Sequence, residues 1–184
     1  MLAGCLAREG RTQEAVTSFR TSAELYAKLV SKAPQSFDFR NDLAQCLLSW
    51  QRISDDVPYQ QLLDGPAKLL VQRARADLLL NLGRVVEAEQ ICRELTLAYR
   101  KRAEEEPNVR EHRFSEGTVH FKLGQLQSQS GNLSAAEQSY RQSIAVLRRL
   151  ADESPRDTQC RRELGRSRNW LGLLLSGAGR NEEA

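Results

Sequence analysis

Apolar residues recur along this chain at intervals of three and four, with polar residues between them. From Ser130 to Pro155 the stripe is Ala136, Tyr140, Ser143 or Ile144, Leu147, and Leu150 or Ala151. From Glu9 to Pro34 it is Ala15, Phe19, Ala23, Tyr26 and Val30. From Leu82 to Pro107 it is Ala88, Cys92, Leu95, Tyr99 and Ala103. That spacing places one apolar face along an α-helix and predicts an amphipathic helix in each segment. Further helices are predicted over Glu111 to Gln129 and Cys160 to Ser176.

The punctuation repeats with the stripes. Gly10, Gly83, Gly131 and Gly179 each stand five residues before an alanine, and three of them stand 24 residues before Pro34, Pro107 and Pro155. A glycine there supplies the positive φ that ends one helix, and a proline ends the next because it lacks an amide donor. The last three glycines are 48 residues apart. Gly10 lies 73 residues before Gly83, which is 23 short of two periods, and the irregular stretch at residues 54–68 takes that break. One helix pair cannot bury its own apolar face, whereas stacked neighbours can. The expected fold is therefore all-α, an α-solenoid of antiparallel helix pairs in units of about 48 residues. It is expected to run as a single array over 1–184, with first helices in 1–53, a junction at 54–68 and regular repeats in 69–184. Enlarging the small inward position, as in Ala15→Leu or Ala88→Leu, is expected to overpack the stack.

These residues resemble the tetratricopeptide repeat. Leu123-Gly124 precedes Gly131 as that family's first-helix Leu-Gly pair precedes its turn glycine, and Leu171-Gly172 stands likewise before Gly179. Ala136 with Tyr140, and Ala15 with Phe19, occupy the second-helix positions. The unit is longer than the family's usual one by seven residues in each helix, close to two turns, which preserves the inward face. In this the chain is similar to kinesin light chains and to the arrays that follow serine/threonine kinase domains in planctomycete-type bacteria. The resemblance implies a right-handed superhelix whose first helices line a concave groove. Both ends fall mid-unit, so the chain is expected to be part of a longer array, with apolar ends able to self-associate.

Composition narrows the function. The chain is 40% hydrophobic and 28% charged, which fits a folded domain, and its formal charge of +3 selects no partner. No apolar run approaches the ~20 residues that span a bilayer. The four cysteines, Cys5, Cys46, Cys92 and Cys160, form no CxxC pair, so they read as reduced structural thiols and the expected location is the cytoplasm. "LAGC" near the start lacks the basic and apolar stretches of a lipoprotein signal, and "NLS" at Asn132 reads as a turn and helix cap.

Catalytic signatures are lacking: GxGxxG, GxxxxGK[ST], GxSxG and HExxH are all absent from the sequence. No enzyme, cofactor or metal is expected. His112, Glu116 and His120 share a helix face at i, i+4, i+8, but no further ligand accompanies them. Cys160 beside Arg161 and Arg162 is a candidate reactive thiol, with a structural thiol as the simpler reading. Basic clusters at Arg100–Arg102 with Arg110 and Arg113, and at Arg161, Arg162, Arg166 and Arg168, are interleaved with Glu87, Glu94, Glu111 and Glu163. Few aromatics accompany them, which disfavours nucleic acid.

The resemblance carries ligand-contacting positions onto Phe121 and Gln125, onto Asn169 and Leu173, and onto Arg73 and Asp77, with Arg166 a turn before Asn169. The family's lysine-and-asparagine carboxylate clamp is not reproduced. The arginine content still favours an acidic peptide partner. The expected function is a non-catalytic protein–protein interaction scaffold in a bacterial signalling protein. A nucleic-acid-binding repeat and a metal-binding accessory part of an enzyme are the alternatives.

Overall fold

Four glycines with positive φ set the turns: Gly10 (+77°), Gly83 (+74°), Gly131 (+77°) and Gly179 (+74°). Each follows the end of a helix in the same way. The residue after the glycine donates its amide to a carbonyl five residues back: Arg11 to Leu6, Arg84 to Leu79, Asn132 to Gln127 and Arg180 to Leu175, at 2.8–2.9 Å. The glycine's own amide donates three residues back, for example Gly131 to Ser128 at 3.1 Å. This is a Schellman ending, and a Cβ at the glycine would strain it.

The computed structural model describes residues 2–33, 37–51, 53–54 and 68–180. All regular structure among them is helical. The helices are α1 (Leu2–Arg8), α2 (Thr12–Lys32), α3 (Phe37–Gln51), α4 (Lys68–Asn81), α5 (Val85–Glu105), α6 (Arg110–Gln129), α7 (Leu133–Glu153) and α8 (Thr158–Gly177). Except at its edges, the irregular junction at 54–68 lies outside the described residues. The three helices that begin after a turn glycine, α2, α5 and α7, each run 21 residues, as the recurring glycine-to-proline spacing requires.

The chain forms two compact units, Met1–Arg84 and Val85–Ala184. In the first, α2 packs between α1 and α3, and α3 packs on α4. Ala15, Ala23 and Val30 are fully buried in α2, and Ala23 and Val30 belong to one cluster with Leu43, Leu47 and Trp50 of α3. In the second unit consecutive helices pack on each other and α6 also touches α8. Ala88, Leu95, Ala136, Tyr140 and Leu147 are fully buried, so the predicted stripes are the packed faces. Fully burying each large side chain contributes ~1.5–3 kcal/mol. The further helices predicted over Glu111 to Gln129 and Cys160 to Ser176 match α6 and α8 to within a residue or two.

Side chains cap two helix starts. Asn132 Oδ1 accepts the amide of Ala135 at 3.3 Å, as the cap reading of "NLS" requires. Asp157 Oδ1 accepts the amide of Cys160 at 2.9 Å and pairs with Arg110 of α6, tying the start of α8 back to the preceding pair. Both the amide and the guanidinium hold the Asp157 carboxyl below its usual range.

Candidate interaction face

Helix α6 is buried along most of its length because α5, α7 and α8 surround it. Two small positions let α7 approach. A Cβ at Gly117 would lie 2.8 Å from Leu147 Cγ, and one at Gly124 would lie 2.7 Å from the Tyr140 ring. The glycine of the Leu-Gly pair therefore seats the second-helix aromatic. Burial pushes the Tyr140 phenol up to about 12.

Polar groups line α6 where it meets its neighbours. Arg100 Nε of α5 donates to Glu116 Oε1 at 3.1 Å, and Arg113 donates to Glu153 of α7 at 2.7 Å. Gln127 bridges α5 and α7, donating to Glu89 at 3.4 Å and accepting from the Ser139 hydroxyl at 2.7 Å. Ser143 and Ser167 join α7 to α8 at 2.9 Å. His120 lies in this seam with neither ring nitrogen hydrogen-bonded among the described residues. Burial, followed by the nearby Arg100 charge, lowers its pKa to about 4, so the ring is neutral near pH 7.

The histidine face does not assemble a metal ligand set. His112 Nε2 lies 2.8 Å from Glu106, Glu116 is held by Arg100, and His120 Nε2 is 3.9 Å from Glu116. Among the described residues no group of three or more His, Cys, Asp or Glu is placed to hold a metal ion. Cys160 is buried, donates to Leu147 O at 3.2 Å and has its pKa raised by burial, the environment of a structural thiol. In the first basic cluster Arg100, Arg110 and Arg113 are paired with carboxylates, and Lys101 lies 3.7 Å from Glu105.

The groove positions fall on α4, α6 and α8. Arg73 and Asp77 lie half-buried, one turn apart, on α4 in the first unit. In the second unit Gln125 is half-buried on α6, while Arg166 and Asn169 are exposed on α8. Phe121 is buried, packed on Tyr140 with ring centroids 5.9 Å apart and covered by Leu171 and Leu174. The Arg166 guanidinium lies over the Phe121 ring at 5.0 Å, which brings these two together as a cation–π pair. Phe121 thus supports the face from beneath, and Arg166 presents it.

The repeat pattern assigns no contact role to Arg162 or Trp170. They flank Arg166 at i−4 and i+4 on one side of α8, with Leu173 seven residues on, and that spacing is the signal the sequence carries for them. Trp170 and Leu173 are 40% and 59% exposed. Glu163 receives both arginines, Arg162 Nε at 3.3 Å and Arg166 at 3.0 Å.

Residues 117–146 match the tetratricopeptide repeat family model. No curated protein matches the chain. The crystal structure of BtubC (BKLC) from P. vanneervenii is similar over 92% of this chain and 69% of that one, with a TM-score of 0.53 and 14% identity. At that identity the likeness concerns fold alone. The matched segment, 117–146, contains Gly117, Gly124 and Tyr140, and Leu147, which packs against Gly117, directly follows it.

Proposed function

We propose that the chain is a non-catalytic protein–protein interaction scaffold that holds a segment of a partner protein against its first helices. The observation that carries this is the repeat match at 117–146, whose Leu-Gly helix presents Gln125 and carries the Phe121 ring that stacks on Arg166. The contact residues of this reading are Arg73 and Asp77 on α4 in the first unit and, separately, Gln125, Arg166 and Asn169 on α6 and α8 in the second, where the Phe121 ring lies beneath Arg166. A role as the regulatory region of a bacterial signalling protein in the cytoplasm fits the sequence resemblance. No described helix is long and apolar enough to cross a membrane.

The test is affinity capture from a bacterial lysate, comparing wild type with Arg73→Glu/Asn169→Asp after circular dichroism shows equal helicity. A partner held by wild type and lost by the variant supports the reading. A partner held equally by both places binding elsewhere and overturns the residue assignment.

A further inference from the structure

Two seams flank the α6–α7 pair, and they differ in chemistry. Between α7 and α8 the Ser143 and Ser167 hydroxyls meet at 2.9 Å, and Cys160 donates to Leu147 O at 3.2 Å, all neutral groups. The α5/α6 seam carries ions. Arg100 Nε donates to Glu116 Oε1 at 3.1 Å, and His120 Nε2 lies 3.9 Å from the same oxygen. One period later Glu116 and Gln127 give way to Leu164 and Leu175, both buried, so the architecture accepts hydrocarbon at these positions. A buried carboxylate and a buried, unpartnered imidazole cost stability that the apolar seam keeps.

His120 is 7% exposed, and neither ring nitrogen is hydrogen-bonded among the described residues. The Arg100–Glu116 and Glu89–Gln127 bonds set an antiparallel register that places Thr96 of α5 opposite it. Thr96 is buried too, and its hydroxyl is given to Arg93 O at 2.7 Å. The charges that face the ring are Arg100 from α5 and Glu116 from its own helix. From α7 come the Tyr140 phenol, set on Gly124 and neutral in acid, and Glu153, bound to Arg113 two turns away. From α8 comes Arg166, which lies over the Phe121 ring. A proton on His120 therefore sets two cations against one buried carboxylate that Arg100 already occupies. Water can solvate the charged ring only if α5 moves off α6.

We propose that the α5/α6 seam is an acid-operated joint, in which proton uptake at His120 parts α5 from α6 while α6, α7 and α8 stay packed. The close seats of Leu147 on Gly117 and Tyr140 on Gly124 hold that pack, and neither titrates in acid. The direction follows from proton balance. The ring's pKa is about 4 in the closed seam and returns toward ~6.5 in water, so the open form takes the proton first. The joint does not depend on where a partner binds.

Thr96→Cys puts a thiol in this seam of the full chain, and the buried Cys160 reports on the α7/α8 seam. Both are labelled with dithiodipyridine between about pH 7.5 and 5, located by peptide mass spectrometry and scaled to the rate of glutathione at each pH. Scaled labelling at position 96 should rise about thirtyfold over that range, while Cys160 rises less than about threefold. His120→Gln, which takes no proton, should hold the rise at position 96 within about threefold. Arg100→Gln, which frees Glu116 for the charged ring, should shrink it severalfold. Circular dichroism at neutral pH checks that each variant is equally helical before labelling. Flat labelling at position 96, or a rise that survives in His120→Gln, overturns the joint. An equal rise at Cys160 shows that the unit unfolds as a whole and overturns it too.

Discussion

The Tyr140 ring lies on the backbone of Gly124, so close that a Cβ there would stand 2.7 Å from two ring carbons. Tyr140 is fully buried and has nowhere to retreat. Gly124→Ala gains ~1 kcal/mol in helix propensity, but overpacking typically costs ~1–3 kcal/mol. Net destabilisation is expected, and likewise for Gly117→Ala against Leu147. Gly165 offers the opposite case: it sits within α8, and a Cβ added there would meet nothing within 4 Å. Gly165→Ala should stabilise by up to ~1 kcal/mol. Urea unfolding of the three variants checks the order, and a stabilised Gly124→Ala would refute the close-approach account.

His120 makes stability depend on pH. Its pKa falls to about 4 in the fold, below the ~6.5 of the unfolded chain. The unfolded state therefore binds the proton first. The stability this neutral ring allows is complete above the unfolded value and falls as pH drops from there through the folded value. Arg100 from α5 and Glu116 on its own helix are the charges that face it. The loss over that window is on the order of 2–3 kcal/mol. The lowered carboxyls Glu137, Glu153 and Asp157 lose their contribution only at lower pH. His120→Gln should flatten the stability curve between about pH 6.5 and 4.5. An unchanged slope in that variant would assign the dependence to other groups.

The thiols should separate into one fast and three slow. Cys5 is exposed on α1, whereas Cys46, Cys92 and Cys160 are buried. Burial drives the Cys46 thiol up to about 11, which removes its thiolate near neutral pH. Titration of the native protein with a chromogenic disulfide should release one equivalent quickly and the remainder only on unfolding. Rapid release of more than one would show that a helix pair opens readily.

What is legible in the sequence is whatever repeats. The turn glycines, the inward alanines and the closing prolines recur in register, so helix existence, length and buried face follow from them. Gly124 stands out in the sequence because the family pattern contains it, but its contact with Tyr140 emerges only from the packing. The polar seam is not legible. Nothing in the local sequence marks Glu116, His120 and Gln127 as buried, yet α6 holds all three among its neighbours, with Glu116 bonded to Arg100 of α5 and Gln127 to Ser139 of α7. Partners distant in sequence, such as Arg113 with Glu153, have no local signal. Phe121 shows the same limit: its register carries an expectation of ligand contact, whereas its packing on Tyr140, with Leu171 and Leu174 against the same cluster, emerges only from the structure.

The seam's central bond offers a test of whether its polarity is required. Gln127 is buried, and its side chain holds Ser139 at 2.7 Å. One period later the equivalent position is Leu175, also buried, so the architecture accepts an apolar residue there. Gln127→Leu alone leaves the Ser139 hydroxyl buried without its partner, and Ser139→Ala alone orphans the Gln127 carbonyl. Each should cost ~1–3 kcal/mol, the penalty of an unpaired buried polar group. Glu89 is spared in both, because Arg93 also binds it at 2.6 Å. Removing both partners together leaves nothing unsatisfied, so Gln127→Leu/Ser139→Ala should recover most of the loss. A double-mutant cycle in urea should give a coupling energy of about 1 kcal/mol or more. Strict additivity of the two single losses would mean that the bond carries no net stability and that the seam tolerates water.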